Sequence, residues 1–218
     1  MITTLIFDFD GLILDTETPD YEAWRGIYGE FGQELPIQTW GQIVGGNGAT
    51  SFEPLPHLEQ LTRRDLSSLN LQDRANRQAL ARINAMAPRP GVLETLDAAA
   101  ELGLRLAIAS SSTHAWVDGH LRRLGLFDRF QVVLCREDVP VPKPDPALFL
   151  AVLRALGVTP REAIVLEDSP NGVTAARAAG IFVVAIPNPV TAQLKITGED
   201  LRLDSLVDLP LSSLMESL

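Results

Sequence analysis

Five short apolar runs constrain this chain most: Thr4–Phe7 (TLIF), Leu104–Ala109 (LRLAIA), Gln131–Cys135 (QVVLC), Ala163–Leu166 (AIVL) and Ile181–Ile186 (IFVVAI). None alternates apolar with polar residues, so each reads as a strand buried on both faces, as in a parallel sheet. The segments between the later runs have helical grammar. PDPALFLAVLRALG sets Asp145 as N-cap, Pro146 at the first helical position and Gly157 just past the end, and SPNGVTAARAAG repeats the order with Ser169, Pro170 and Gly180. Alternating strands and helices specify an α/β fold, a doubly wound parallel sheet.

The alternation breaks once. Residues 16–87 contain no convincing strand and show helical spacing instead, with Trp24, Ile27, Tyr28 and Phe31 before Gly32. The expected organisation is an α/β core of residues 1–15 and 88–218 with a small α-helical cap, residues 16–87, inserted after the first strand. The aromatic stripe is expected to be the insertion's own core.

Chemistry gathers where the strands end. The first run is followed by Asp8 and Asp10, the second by Ser110, Ser111 and Ser112, and the fourth by Glu167 and Asp168; Lys143 lies in the loop VPVPKPDP after the third. In an open α/β sheet the carboxyl ends of the strands form the ligand crevice, so the topology draws these residues together. Each alone has an ordinary explanation as a turn, a helix-entry acid or a solvated side chain. Four clustered carboxylates, however, raise one another's pKa unless a cation compensates, and an oxygen-only donor set suits Mg²⁺.

Composition narrows the partners. A formal charge of −10 and a pI near 4.7 exclude the basic stripe of a nucleic-acid or membrane-surface protein, leaving a small anion at a local site. The single cysteine, Cys135, cannot form an internal disulfide and fits a reducing compartment as a buried thiol. No basic leader precedes Asp8 and no run is long enough to span a bilayer, so the expectation is a cytoplasmic protein, taken as a monomer.

Four stretches together, DFDG, the serine after LAIA, the lysine of KPDP and VLEDSPNG, resemble the four ordered motifs of the haloacid dehalogenase superfamily. The insertion after the first motif resembles the cap of its β-phosphoglucomutase-like and phosphatase branch. The resemblance implies that Asp8 is a nucleophile forming an aspartyl-phosphate and that Asp10 is the general acid and base. It implies that Ser110 binds a phosphoryl oxygen, that Lys143 neutralises charge, and that Asp8, the Asp10 carbonyl and Asp168 hold Mg²⁺, with Glu167 joining them directly or through water. Lys143 is one of only two lysines against sixteen arginines, and a compact point charge suits a place beside a carboxylate and a metal. Asp10 favours phosphate esters, since dehalogenases and phosphonatases of the superfamily lack that second acid.

The cap is expected to set the substrate. Its glycine-rich loop IVGGNGATSFEPL offers Asn47, Thr50 and Ser51 as polar contacts, and no Lys or Arg occurs between Gly41 and Leu61. Where many capped relatives carry a histidine shortly after DTE, this chain has Asp20. A mutase needs a basic contact for a second phosphate, so the expected activity is hydrolysis of a small phosphorylated metabolite, a sugar phosphate or related monoester. Phosphoglucomutase-like isomerisation is the first alternative. A receiver-like aspartate phosphoacceptor is a second, disfavoured by the large insertion, and a catalytically silent binding protein a third. Ser111 and Asn171 join Asn47 as substrate-side candidates, with Asn171 also placed to orient the metal loop. His57, His114 and His120 are assigned no catalysis, His114 reading as a surface histidine at a helix entry, and Trp116 and Arg136 lie near strand ends, where they could line the crevice without a committed role.

Overall fold

The computed structural model describes residues 1–44, 52–209 and 211–217. Six parallel strands form one sheet: β1 (Thr4–Phe7), β2 (Arg105–Ala109), β3 (Val132–Leu134), β4 (Ala163–Glu167), β5 (Phe182–Ala185) and β6 (Leu201–Arg202). Their order is β3-β2-β1-β4-β5-β6, with Thr4 in register with Arg105 on one side and Ala163 on the other. The order reverses between β1 and β4, so a crevice opens beyond the carboxyl ends of these two central strands.

Strand alternation explains why unbroken apolar runs were needed. Leu5, Phe7, Leu106, Ile108, Ile164 and Leu166 face one core, while Ile6, Ala107, Ala109, Val165 and Val183 face the other. The first face is covered by helices α5 (Val92–Glu101) and α6 (His114–Arg123), through Val92, Leu96, Val117 and Leu121. Helices α7 (Ala147–Leu156) and α8 (Pro170–Ala178) cover the second, through Leu148, Phe149, Val152 and Val173. Each such side chain taken fully out of water contributes about 1.5–3 kcal/mol before chain entropy is charged against it.

Between β1 and α5 the chain forms α1 (Glu17–Glu30), α2 (Ile37–Trp40), α3 (Pro54–Thr62) and α4 (Leu71–Ala85). No strand occurs among the described residues of this interval. Trp24, Ile27 and Tyr28 of α1 are buried, and α1 packs along α4, whose Ala75 and Ala79 present a small face between Leu71 and Ile83. The Tyr28 hydroxyl donates to the Pro54 carbonyl at 2.8 Å. The outgoing and returning chains run together, since Arg89 N–H donates to the Ile13 carbonyl at 2.8 Å.

Three local readings need correction. Helix α7 begins one residue later than expected: Pro146 takes the N-cap position, and the Asp145 carboxylate instead accepts from the Ala147 N–H at 2.9 Å. A proline imposes a helix-compatible φ without itself completing a hydrogen-bonded turn. The sixth strand, two residues long, is too short to leave a periodic signal. A short helix, α9 (Leu211–Ser217), also went unread. Ser169 does cap α8, accepting from the Gly172 N–H at 3.1 Å, with Pro170 first in the helix.

Candidate active site

Asp8 follows β1 directly, and its N–H extends the sheet ladder to the Leu166 carbonyl at 3.0 Å. Beyond it the chain turns sharply: Ile13 and Leu14 N–H both point back to the Phe9 carbonyl, and Gly11 adopts φ +79°. A Cβ at Gly11 would collide with the Asp168 carboxylate and the Asn188 amide, so this turn is glycine for both conformation and space. Phe7 and Phe9 are fully buried in the core on the α5/α6 face, which leaves Asp8 and Asp10 at the crevice.

A buried lysine joins two strand ends. Lys143 Nζ donates to Asp8 Oδ1 at 2.5 Å and to Glu167 Oε1 at 2.6 Å, and the three residues are 1%, 6% and 0% exposed. The remaining Glu167 oxygen accepts from Asp168 N–H, Ser169 N–H and Ser169 Oγ at 2.8, 2.9 and 3.1 Å. Glu167 is therefore fully engaged, bracing the lysine and the loop. Asp8 Oδ2 has no hydrogen-bond partner among the described residues. Burial pushes the Asp8 carboxyl well above its ordinary range; Lys143 opposes this, and Glu167 and Asp10 add to it.

Asp168 faces the same space from the end of β4. Burial raises its pKa strongly, and the charges of Glu167 and Asp8 raise it further. Asn188, 1% exposed, donates Nδ2–H to Asp168 Oδ2 at 2.7 Å, while its own Oδ1 is fixed by the N–H groups of Val190 and Thr191. Arg89 donates to the carbonyls of Gly11, Ile186 and Pro187, tying the β1 turn to the chain after β5.

Asp10 is held by three donors. Thr16 Oγ1 and Trp116 Nε1 donate to its Oδ1 at 2.9 and 2.8 Å, and Ser112 Oγ donates to its Oδ2 at 2.6 Å. Ser110 Oγ accepts from the Ser112 N–H at 3.0 Å, closing the serine turn after β2. Ser111 borders the cavity, but its hydroxyl is itself buried and has no hydrogen-bond partner among the described residues.

These groups border a cavity of about 460 Å³. Asp8, Asp10, Ser110, Lys143 and Asp168 line it from the strand ends; Trp40, Ile43, Ala79, Leu80 and Ile83, with the amide of Asn76, line it from the interval between β1 and α5, and Glu17 and Asp20 from the start of α1. Burial, with the charges of Asp10 and Asp20 adding, pushes the Glu17 carboxyl up to about 8, and burial pushes Asp20 to about 6.

The structure thus brings together Asp8, Asp10, Ser110, Ser111, Lys143, Glu167 and Asp168. It does not place Asn171 on the cavity: that amide donates to the Val44 carbonyl at 3.2 Å, joining α8 to the segment after α2, because the N-terminal turn of α8 directs it outward. Asn47, Thr50 and Ser51 lie outside the described residues. Trp116, whose place near a strand end set it among residues that could line the crevice, does line the cavity and also contacts Asp10 directly, a contact the sequence does not show. Thr16, Ser112 and Asn188 were also missed as contacts of the two acids. His114 stays on the surface between Asp138 and Asp118 at 2.7 and 3.4 Å, and although burial opposes it, these contacts raise its pKa. Cys135 is a buried thiol, pushed up to about 12 by burial and neighbouring acids.

A buried carboxylate at the end of β1, a second acid two residues on, a buried lysine and an acidic loop at the sheet's switch point coincide with a family model. The model described as haloacid dehalogenase-like hydrolase matches residues 5–186. The chain belongs to the haloacid dehalogenase-like hydrolases. YhcW of Bacillus subtilis (strain 168), named provisionally as a phosphatase, is 43% identical over 218 residues, covering 100% of this chain and 98% of its own. The fructose-1-phosphate phosphatase YqaB of Escherichia coli (strain K12) is 32% identical over 190 residues, covering 84% and 95%. Among solved structures, CbbY of Rhodobacter sphaeroides in complex with phosphate superposes with a TM-score of 0.71 at 26% identity, covering 96% and 97%. This haloacid dehalogenase-like hydrolase is an enzyme acting on phosphoric monoesters. None of its described helices is long and apolar enough to cross a membrane.

Proposed function

We propose that the chain is a Mg²⁺-dependent phosphatase of sugar phosphates that works through a phosphoryl group held on Asp8. The observation that carries this reading is the state of the Asp8 carboxylate: one oxygen is fixed by Lys143 and the other is free at the floor of the cavity. The names of relatives such as the E. coli fructose-1-phosphate phosphatase support the substrate class.

Asp8 Oδ2 attacks phosphorus as the ester P–O bond breaks, and Asp10 gives a proton to the departing alkoxide. Water then attacks the phosphorus of the acyl phosphate, Asp10 takes a proton from it, and phosphate leaves with Asp8 restored. The hydroxyls of Thr16 and Ser112 can turn from donor to acceptor, so the same contacts hold Asp10 with or without its proton, while the Trp116 N–H only donates. Lys143 disperses charge on Asp8 and the phosphoryl oxygens, and Ser110 offers its hydroxyl to those oxygens.

The donor set fits a hard divalent cation. Asp8 and Asp168 are buried carboxylates whose ionised forms call for compensating charge, and the only lysine present is committed to Asp8 and Glu167. Asp8, the Asp10 carbonyl and Asp168, aimed by Asn188, would hold Mg²⁺, with Glu167 acting behind them rather than as a ligand. Bound there, Mg²⁺ supplies charge neutralisation and orientation to the phosphoryl oxygens. We also propose that residues 16–87 act as a cap, since α1, α2 and α4 supply the cavity wall opposite the nucleophile.

The test is inorganic phosphate release from a panel of sugar monophosphates by chelated and Mg²⁺-reloaded protein, beside Asp8→Asn. Release that requires Mg²⁺ and is lost in Asp8→Asn is expected. Equal release by Asp8→Asn, or metal-independent turnover, contradicts the reading.

A further inference from the structure

Helix α6 is the crossover from β2 to β3, and these two strands are parallel neighbours. Such a helix starts at the carboxyl edge of the sheet, so its first turns lie beside the residue that follows the next strand. Here that residue is Cys135, and α6 presents His114 and Asp118, four apart and therefore on one face. A ring nitrogen of His114, a carboxylate oxygen of Asp118 and Cys135 Sγ all lie within 4.8 Å of one another. None of the three residues lines the catalytic cavity.

The surrounding contacts prepare these donors. His114 Nε2–H donates to Asp138 Oδ2 at 2.7 Å, which turns the Nδ1 lone pair toward Asp118 Oδ1 at 3.4 Å. A lone pair facing a carboxylate oxygen calls for a cation between them, a proton or a metal ion. Tetrahedral zinc, with nitrogen and oxygen ligands at about 2.0–2.2 Å, sets those ligands about 3.3–3.6 Å apart, which is the separation found. A carboxylate behind the second ring nitrogen is the support that metal-bound histidines use. Cys135 is braced from the same residue: its Sγ accepts the Asp138 N–H, and its own N–H donates to Asp138 Oδ2 at 2.7 Å. The sulfur is buried, whereas the His114 and Asp118 side chains are 38% and 22% exposed, so an ion arriving from solvent meets nitrogen and oxygen first and sulfur last.

We infer that His114 Nδ1, the Asp118 carboxylate and Cys135 Sγ form a metal site separate from the catalytic cavity, suited to a borderline-soft divalent cation such as Zn²⁺, with water as the fourth ligand. A thiolate and an imidazole select against Mg²⁺ and Ca²⁺, which take oxygen ligands. As the Sγ–metal bond forms, the thiol proton leaves to solvent. Without a metal the thiol keeps that proton, since burial and the neighbouring acids push it up to about 12. The bound ion ties α6 to the end of β3 beside the serine turn, where the Arg136 N–H already donates to the Ser112 carbonyl at 3.0 Å.

Co²⁺ titrated into the untagged full chain under reducing conditions, with Mg²⁺ in excess, reads this site by absorbance. A thiolate ligand gives a near-ultraviolet charge-transfer band, and tetrahedral coordination gives intense visible bands. Both are expected to saturate at one Co²⁺ per chain and to disappear when Zn²⁺ is added. Cys135→Ala is expected to abolish the charge-transfer band. His114→Ala and Asp118→Asn, at partly exposed positions, are each expected to weaken Co²⁺ binding at least tenfold, with thermal melting in the absence of added Co²⁺ or Zn²⁺ to show that every variant is folded. No charge-transfer band in the wild type, a band that survives Cys135→Ala, or an affinity unmoved by both helix substitutions overturns the inference. Visible bands without charge transfer that fade as more Mg²⁺ is added place Co²⁺ in the catalytic cavity and overturn it as well.

Discussion

Replacing Lys143 by methionine keeps side-chain volume and removes the single cation between Asp8 and Glu167. Both contacts are short, 2.5 and 2.6 Å, and all three groups are buried, so solvent cannot substitute for the ammonium. Breaking a buried ion pair by removing one partner costs about 3–5 kcal/mol, less when the stranded carboxylate can take up a proton. The cost is therefore pH-dependent. In the wild type, Asp8 and Glu167 hold the Lys143 pKa above its ordinary range against the effect of burial, so the lysine's contribution is complete at neutral pH and lost only in strong alkali. In the variant, the Asp8 pKa, already raised by burial, loses the opposing charge and rises further. A group protonated in the folded state and ionised in the unfolded state costs about 1.4 kcal/mol of stability per pH unit as pH climbs toward the folded pKa. Urea unfolding is expected to show Lys143→Met less stable by roughly 1–2 kcal/mol near pH 5 and by about 3–5 kcal/mol near pH 8, where phosphatase turnover is also lost. A deficit below about 1 kcal/mol that is the same at both pH values would refute the reasoning.

Other sites give independent outcomes. Asn188→Ala strips Asp168 of its fixed donor and should weaken Mg²⁺ binding by about 10- to 100-fold in a titration, with the melting temperature little changed. Trp116→Phe removes one of three donors to Asp10; loss of about 1 kcal/mol predicts roughly a fivefold fall in kcat with a smaller change in KM and a shifted pH profile. A Cβ at Gly172 would overlap the Glu167 carboxylate, so Gly172→Ala should destabilise by about 1–3 kcal/mol or more in denaturant unfolding. Because burial raises Glu17 to about 8, its contribution to stability is complete below the ordinary glutamate range and lost as pH rises through about 8; melting curves for Glu17→Gln should show a gain over wild type that is larger near pH 8 than near pH 5.

The parts of the site legible in the sequence were those fixed by strand geometry. Asp8 and Asp168 follow directly on β1 and β4, where unbroken apolar runs announce where each strand stops and the topology sets neighbouring ends side by side. Lys143 was legible for a different reason: it is a rare lysine in an irregular loop after a strand. Contacts made from helix faces and late loops were not. Trp116 reaches Asp10 because α6 starts at His114 and turns its indole toward β1, a direction that helical spacing does not specify. Asn188, in the irregular chain after β5, carries no such signal, and only the chain's return past the Gly11 turn shows it to be a buried partner of Asp168. Glu167 adjoins Asp168 at the strand end, where consecutive residues point to opposite sides, and its carboxylate turns toward Lys143.

The central claim is that Asp8 carries the phosphoryl group. Intact-protein mass spectrometry after rapid acid quench, on protein mixed with Mg²⁺ and a turned-over sugar monophosphate, measures this directly. A mass increase of one phosphoryl group that is absent in Asp8→Asn and maps to the peptide containing Asp8 is the predicted result. Turnover with no such adduct at any quench time, or an adduct that persists in Asp8→Asn, would contradict it.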